Sequence, residues 1–218
     1  MTMNTLLQRD VIDELQYEPS IDASNIGVTA NDGIVNLTGT VNSYAEKYAA
    51  ASAAERVAGV KAVTDETKVN LPSFHQRNDQ DIAQAILNAL AWHIWVPRDA
   101  VKVKVEQGWV TLEGTVTSKF QQTAARDAVK SLMGVVGVSN LINVKSPVEP
   151  SDVKVKIENA LRRAAELDAQ GIKVEVTGNT VVLRGNVSSW AERQQAERAA
   201  WSAPGVWDVE DYLEIRVR

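Results

Sequence analysis

Two tryptophans and three cations crowd one stretch of the chain. The run Leu90-Ala91-Trp92-His93-Ile94-Trp95-Val96-Pro97-Arg98 is followed closely by Lys102 and Lys104. Indole rings beside guanidinium and ammonium groups suit a phospholipid interface, with the rings among the headgroups and the cations on anionic phosphate. The same rings suit packing against a neighbouring repeat or a protein partner, where aromatic side chains are enriched. The spacing of the chain's own copies says that both tryptophans face outward. Counting back 75 residues puts Tyr17 and Ser20 at their positions, and counting on 71 puts Arg163 and Glu166 there. Core positions rarely accept Arg or Glu. Val96, matched by Ile21 and Leu167, reads as the buried neighbour.

Other chemistry-bearing residues form no constellation. His75 and His93 lie far apart, Cys is absent, and no His-x-x-x-His pairing occurs, so no transition-metal site is expected. Asp65-Glu66 and Glu210-Asp211 read as solvated surface. Ser43, Ser118 and Ser189 lack the Gly-x-Ser-x-Gly of a nucleophile elbow. With nucleophile, base and metal all unsupported, the expectation is a non-enzyme without cofactor. Trp201 aligns with Glu55 and Lys130, an outward position suited to docking, and Trp190 shares its helix. Trp109 aligns with Ile34 and Thr180 and faces opposite to Val110, on the open side of a strand.

The elements that carry these residues occur three times. Val35-Asn36-Leu37-Thr38-Gly39-Thr40-Val41, Val110-Thr111-Leu112-Glu113-Gly114-Thr115-Val116 and Val181-Val182-Leu183-Arg184-Gly185-Asn186-Val187 are the anchor blocks. Twenty residues after each block's glycine come Gly59-Val60, Gly134-Val135 and Gly205-Val206. A period of 75 and then 71 residues means a tandem array of small domains. Each copy opens on an amphipathic helix, marked by Leu7, Val11 and Leu15, by Ile82, Ile86 and Leu90, and by Val153, Ile157 and Leu161. A hairpin follows, turning at Asp32-Gly33, Gln107-Gly108 and Gly178-Asn179. Gly39, Gly114 and Gly185 then mark a bulge or a close backbone approach, expected to be by a helix. Ser43 with Glu46, Ser118 with Gln121 and Ser189 with Glu192 are capping boxes in which the third residue should reach back to the serine N–H. The Ala-rich helix that follows should end at Gly59, Gly134 and Gly205 as left-handed C′ residues. A last strand is expected at 68–71, 141–144 and 213–217, parallel to the second strand because the connection crosses over. The fold class is therefore α+β: three αββαβ domains at 1–71, 79–146 and 151–218, each a three-stranded mixed sheet packed by two helices. Segments 72–78 and 147–150 are the linkers.

This pattern resembles the BON domain, a name taken from bacterial OsmY and nodulation proteins. The residues that carry the match are Gly33 to Val41, Gly108 to Val116, Gly59-Val60-x-x-Val63 and Gly134-Val135-x-x-Val138. Repeat three departs at Asn179, which replaces the turn glycine, with Gly178 one place earlier. The resemblance implies a non-catalytic module that binds phospholipid and serves in envelope or osmotic stress. Some family members are linked to potassium, so a cation sensor is a further possibility.

Charge narrows the partners. The net charge of −5 argues against a general nucleic-acid binder. Residues 72–147 hold 8 basic and 6 acidic groups, whereas 1–71 hold 5 and 10 and 148–218 hold 10 and 12. The middle repeat is thus the one suited to an anionic partner. The opening Met1 to Asp10 has no apolar run, and no stretch is long enough to span a bilayer, so a cytoplasmic location is expected. The sequence reading is a binding protein whose second repeat meets anionic phospholipid or a protein partner through Trp92, Trp95, Arg98, Lys102 and Lys104.

Overall fold

Each anchor block forms the central strand of its own sheet, and the rest of the repeat is built outward from it. The structure, a computed structural model, describes residues 3–145, 153–163 and 171–216. The linker 147–150, the positions of Glu166 and Leu167, and the strand end at Val217 lie outside the described residues. Repeat one runs α1 (Met3–Tyr17), β1 (Ile26–Asn31), β2 (Ile34–Val41), α2 (Tyr44–Arg56), β3 (Ala62–Asp65) and β4 (Lys68–Val69). Repeat two runs α3 (Asp79–Trp92), β5 (Val101–Glu106), β6 (Trp109–Val116), α4 (Lys119–Val129) and β7 (Gly137–Val144). Repeat three runs α5 (Val153–Arg163), β8 (Ile172–Thr177), β9 (Thr180–Val187), α6 (Trp190–Trp201) and β10 (Asp208–Ile215). Two compact units divide the chain within the second repeat.

The sheets are mixed, as the order of elements requires. β1 and β2 pair antiparallel, and β3 and β4 then pair parallel to β2. β8, β9 and β10 repeat this arrangement. In repeat two the Val136 N–H bonds the Gly108 carbonyl and the Lys145 N–H bonds the Val116 carbonyl, so β7 also runs parallel to its neighbour β6. The last strands start earlier than 68, 141 and 213, because the residues straight after Gly-Val already join the ladder.

Both helices of a repeat cover one sheet face. In repeat three, Val153, Ile157 and Leu161 of α5 and Ala196 and Ala200 of α6 share a core with Val174, Val181, Leu183, Val187 and Leu213. The alanines matter: with no bulk beyond Cβ, Ala50, Ala53 and Ala54 of α2 are wholly buried and let that helix lie close on the strands. The opposite sheet face carries the alternate residues, among them Ile34, Trp109 and Tyr212, and is exposed.

Ser43 and Ser189 cap α2 and α6 in an extended conformation and accept the Glu46 and Glu192 N–H. The reach-back differs from expectation by one residue. Glu46 accepts from the Asn42 N–H at 2.7 Å, Gln121 from Thr117 at 2.9 Å and Glu192 from Ser188 at 2.7 Å. The extended serine brings the N–H before it, rather than its own, within reach. Glu46 also accepts the Asp22 N–H at 2.7 Å and is buried. Glu46→Ala should therefore cost about 2–3 kcal/mol in urea unfolding, since two backbone donors lose a charged acceptor.

The signature glycines are also placed differently from expectation. The second helices end at Arg56, Val129 and Trp201, so Gly59, Gly134 and Gly205 sit three to five residues beyond them in a turn. Their positive φ values, 92°, 87° and 92°, serve that turn and not a helix C′ position. Gly39, Gly114 and Gly185 are approached by backbone, but not by either α-helix of the repeat; in repeat one the approaching residue ends a short 3-10 turn, Ala23–Asn25. A Cβ on these glycines would stand 2.0 Å, 2.0 Å and 1.9 Å from the carbonyl oxygens of Asn25, Ala100 and Gly171, the residues that lead into the first strand.

Candidate functional site

The C-terminal end of α3 builds the exposed patch. The helix stops at Trp92, where the His93 N–H folds back to the Leu90 carbonyl at 3.2 Å. The Val96 N–H then bonds the His93 carbonyl, and Pro97, which lacks an N–H, prevents any return to helix. This tight loop turns Val96 into the core and leaves Trp92 90%, Ile94 86% and Trp95 56% exposed. Ile21, the counterpart of Val96, is half-buried. Beside the rings lies a cleft of about 700 Å³, lined by Leu87, Leu90, Trp92, Val96, Arg98 and Asp99.

Arg98 stands at the cleft, whereas Lys102 and Lys104 project from the opposite, open face of β5, on the side of Trp109. Lys104 pairs with Glu106 at 2.9 Å, an exposed bridge of little net worth that an anion can displace. Among the described residues, Arg98 and Lys102 have no ion-pair partner. Among the described residues, the buried Nδ1 atom of His93 has no hydrogen-bond partner. The arrangement can insert flat apolar side chains into a soft layer while presenting positive charge beside them. Among the described residues, no cluster of His, Asp and Glu could hold a metal ion.

The other tryptophans are scattered. Trp109 lies on the open face of the second sheet, half exposed, with Nε1 donating to Ser139 Oγ at 2.9 Å. Trp190 is half-buried below Arg193, and among the described residues its Nε1 has no partner. Trp201 packs at the edge of the repeat-three core, donates to Glu197, and has the Lys119 ammonium 4.8 Å from its ring centroid. The first unit holds a similar junction that single tryptophans do not advertise. Arg126 and Lys130 of α4 lie 5.0 Å and 4.6 Å from the Tyr48 ring of α2. Partial burial holds the neighbouring Tyr44 phenol above its usual range.

Sequence reasoning passed over Leu87 and Ile94 at the patch, although Ile94 stands in the run that drew attention to the tryptophans. It also missed a recurring latch under each sheet. Lys47 meets Asp65 at 3.3 Å, and Arg193, in the same place, meets Asp211 at 2.7 Å. In repeat two Gln122 bonds the Ile142 carbonyl, as Lys47 bonds that of Thr67.

Comparison with known proteins agrees with the repeat. The BON domain model matches residues 4–70, 78–146 and 151–217. The osmotically-inducible protein Y of Escherichia coli (strain K12) is 30% identical over 131 residues, which is 58% of this chain and 65% of that protein. The match thus spans just under two thirds of that relative's length. Among solved structures, CdsD, a structural protein of the type III secretion system of Chlamydia trachomatis, is 17% identical with a TM-score of 0.27, covering 96% of this chain and 92% of that one. The PrgH periplasmic domain is 9% identical with a TM-score of 0.22, covering 94% and 99%. Scores that low bear on neither the arrangement of domains nor function.

Proposed function

Because the chain belongs to the BON domain family and carries three of its domains in tandem, we propose that it is a non-catalytic binding protein whose second domain rests on anionic phospholipid membrane. The observation that carries this reading is the side-by-side exposure of Trp92, Ile94 and Trp95 next to Arg98. Burying such side chains releases about 1.5–3 kcal/mol apiece when complete. Each cation near an anionic surface adds about 1 kcal/mol. Among the described residues no helix is long and apolar enough to cross a membrane, which fits contact through a patch. The name of the Escherichia coli relative connects it with osmotic induction, and we extend that setting to this chain.

Co-sedimentation with vesicles tests the reading. The wild type should bind phosphatidylglycerol-containing vesicles more tightly than phosphatidylcholine ones, and the difference should shrink as salt rises. Trp92→Ala/Trp95→Ala should lower the partition coefficient by about 30-fold or more. Equal binding of the double variant, or no binding by the wild type, would sink it. The cleft beside Trp92 favours one second reading, since a flat bilayer has no use for a concave site: a protein partner seated there. Retained capture of a protein without vesicle binding would select that reading.

A further inference from the structure

The open face of the second sheet carries a feature that its sisters lack. Trp109 begins β6, and the position beside it on β7 is Gly137. The corresponding pairs are Ile34 with Ala62 and Thr180 with Asp208. A Cβ on Gly137 would stand 2.4 Å, 2.5 Å and 2.9 Å from Cε3, Cζ3 and Cδ2 of the indole. The ring therefore lies across the glycine backbone, in the space where a side chain would rise. Its Nε1 is tied to Ser139, two residues further along the same strand and on the same face, at 2.9 Å. One face of the indole is spent on the sheet and the other looks outward, which accounts for its 50% exposure. Repeats one and three fold without this pair, so the fold does not require it.

We propose that Trp109 is a stacking platform for an uncharged glycan. The surroundings decide the class of ligand. Register places Glu106 opposite Trp109, Lys104 opposite Thr111 and Lys102 opposite Glu113, all on the ring's side of the sheet. Two ammonium and two carboxylate groups cancel, so this face offers no field to draw in an anionic polymer. A protein interface of ordinary size has an apolar core of several anchors within a polar rim. Here one pinned aromatic ring, with a single exposed leucine, Leu141, further along β7, stands among hydroxyls, ammonium groups and carboxylates. That combination complements a pyranose: its C–H face meets the negative face of the indole, and its equatorial hydroxyls meet donors and acceptors alternately. Pinning at Gly137 and Ser139 means that little side-chain freedom is lost on binding. This inference is independent of the lipid reading, which uses Trp92 and Trp95.

The test follows the Trp109 indole N–H resonance of the full chain during titration with tetra-N-acetylchitotetraose, cellotetraose and maltotetraose. At least one of these neutral tetrasaccharides should shift that resonance saturably. Trp109→Ile, which installs the repeat-one residue, should weaken binding by about tenfold or more while leaving unfolding cooperative. Gly137→Ala keeps the tryptophan but lifts its ring, and should weaken the same sugar. Trp92→Ala should bind it as the wild type does. If no tetrasaccharide moves the resonance, or Trp109→Ile binds as tightly as the wild type, or a proline decamer moves it and the sugars do not, the proposal is overturned.

Discussion

Gly114→Ala should unfold the second repeat. The new methyl would stand 2.0 Å from the Ala100 carbonyl oxygen, and the residue would hold φ at 141°, which side chains rarely adopt. Neither strain can relax alone, because Gly114 is the register partner of Val101 at the end of the antiparallel ladder. The combined cost is about 3–5 kcal/mol. A domain of this size has roughly that much stability to lose. Circular dichroism melts and the loss of amide resonances confined to repeat two would check it. Gly178→Ala is the contrast. Nothing stands within 4 Å of its added Cβ, so only the left-handed φ of 59° is penalised, at about 1 kcal/mol. Equal effects of the two substitutions would show that conformation, rather than the carbonyl, sets the requirement.

The second large effect is expected at the latch of repeat three. Asp211 accepts from Arg193 Nε at 2.7 Å and from the Leu213 N–H at 2.9 Å, and the pair's side chains are 26% and 15% exposed. Asp211→Ala would strand a largely covered guanidinium and a strand N–H together. The expected loss is about 2–3 kcal/mol, below the figure for a fully buried pair because water still reaches the arginine. Repeat two supplies the neutral alternative, with Gln122 and Asn140 at the equivalent positions. Arg193→Gln/Asp211→Asn should therefore recover most of the loss, and a double-mutant cycle in urea would measure the coupling. Additive single effects would disprove the latch.

What could be read from the sequence was whatever is local and repeated. The serine caps, the two-residue turns and the spacing of Val11 with Leu15 or Ile157 with Leu161 are short-range patterns, and the α+β fold with a parallel third strand followed from their order. What escaped depends on partners far along the chain. Lys47 and Asp65 look like surface charges until the strand returns beneath the helix. Gly39 could be read as a close approach, but its neighbour Asn25 could not be named. The tyrosine junction was hidden because Tyr48, Arg126 and Lys130 lie in different repeats. Repeat three departs from the motif at Asn179, and only the structure gives the reason. Gly178 takes a positive φ of 59° at the first turn position, and the Asn179 amide donates to the Gly205 carbonyl at 2.7 Å. A Cβ at the equivalent Gly108 would stand 2.6 Å from the Gly134 carbonyl, so the asparagine turns a crowded contact into a bond. At the patch, the copy comparison pointed outward for Trp92 and Trp95 but carried no signal for Ile94.

The turn contacts also bear on how the chain reaches its native state. In each repeat the hairpin turn's carbonyl, at Gly33, Gly108 or Asn179, accepts the N–H of Lys61, Val136 or Trp207. The separation is 28 residues every time. Closing a loop of that size costs little more than closing one half as long, about 0.6 kcal/mol. Every repeat can therefore nucleate on its own hairpin and recruit its last strand without waiting for its neighbours. Refolding should then proceed repeat by repeat, with the parallel last strand as the slow step in each. A ribosome would release each repeat ready to fold as soon as its closing Gly-Val and the strand behind it had emerged.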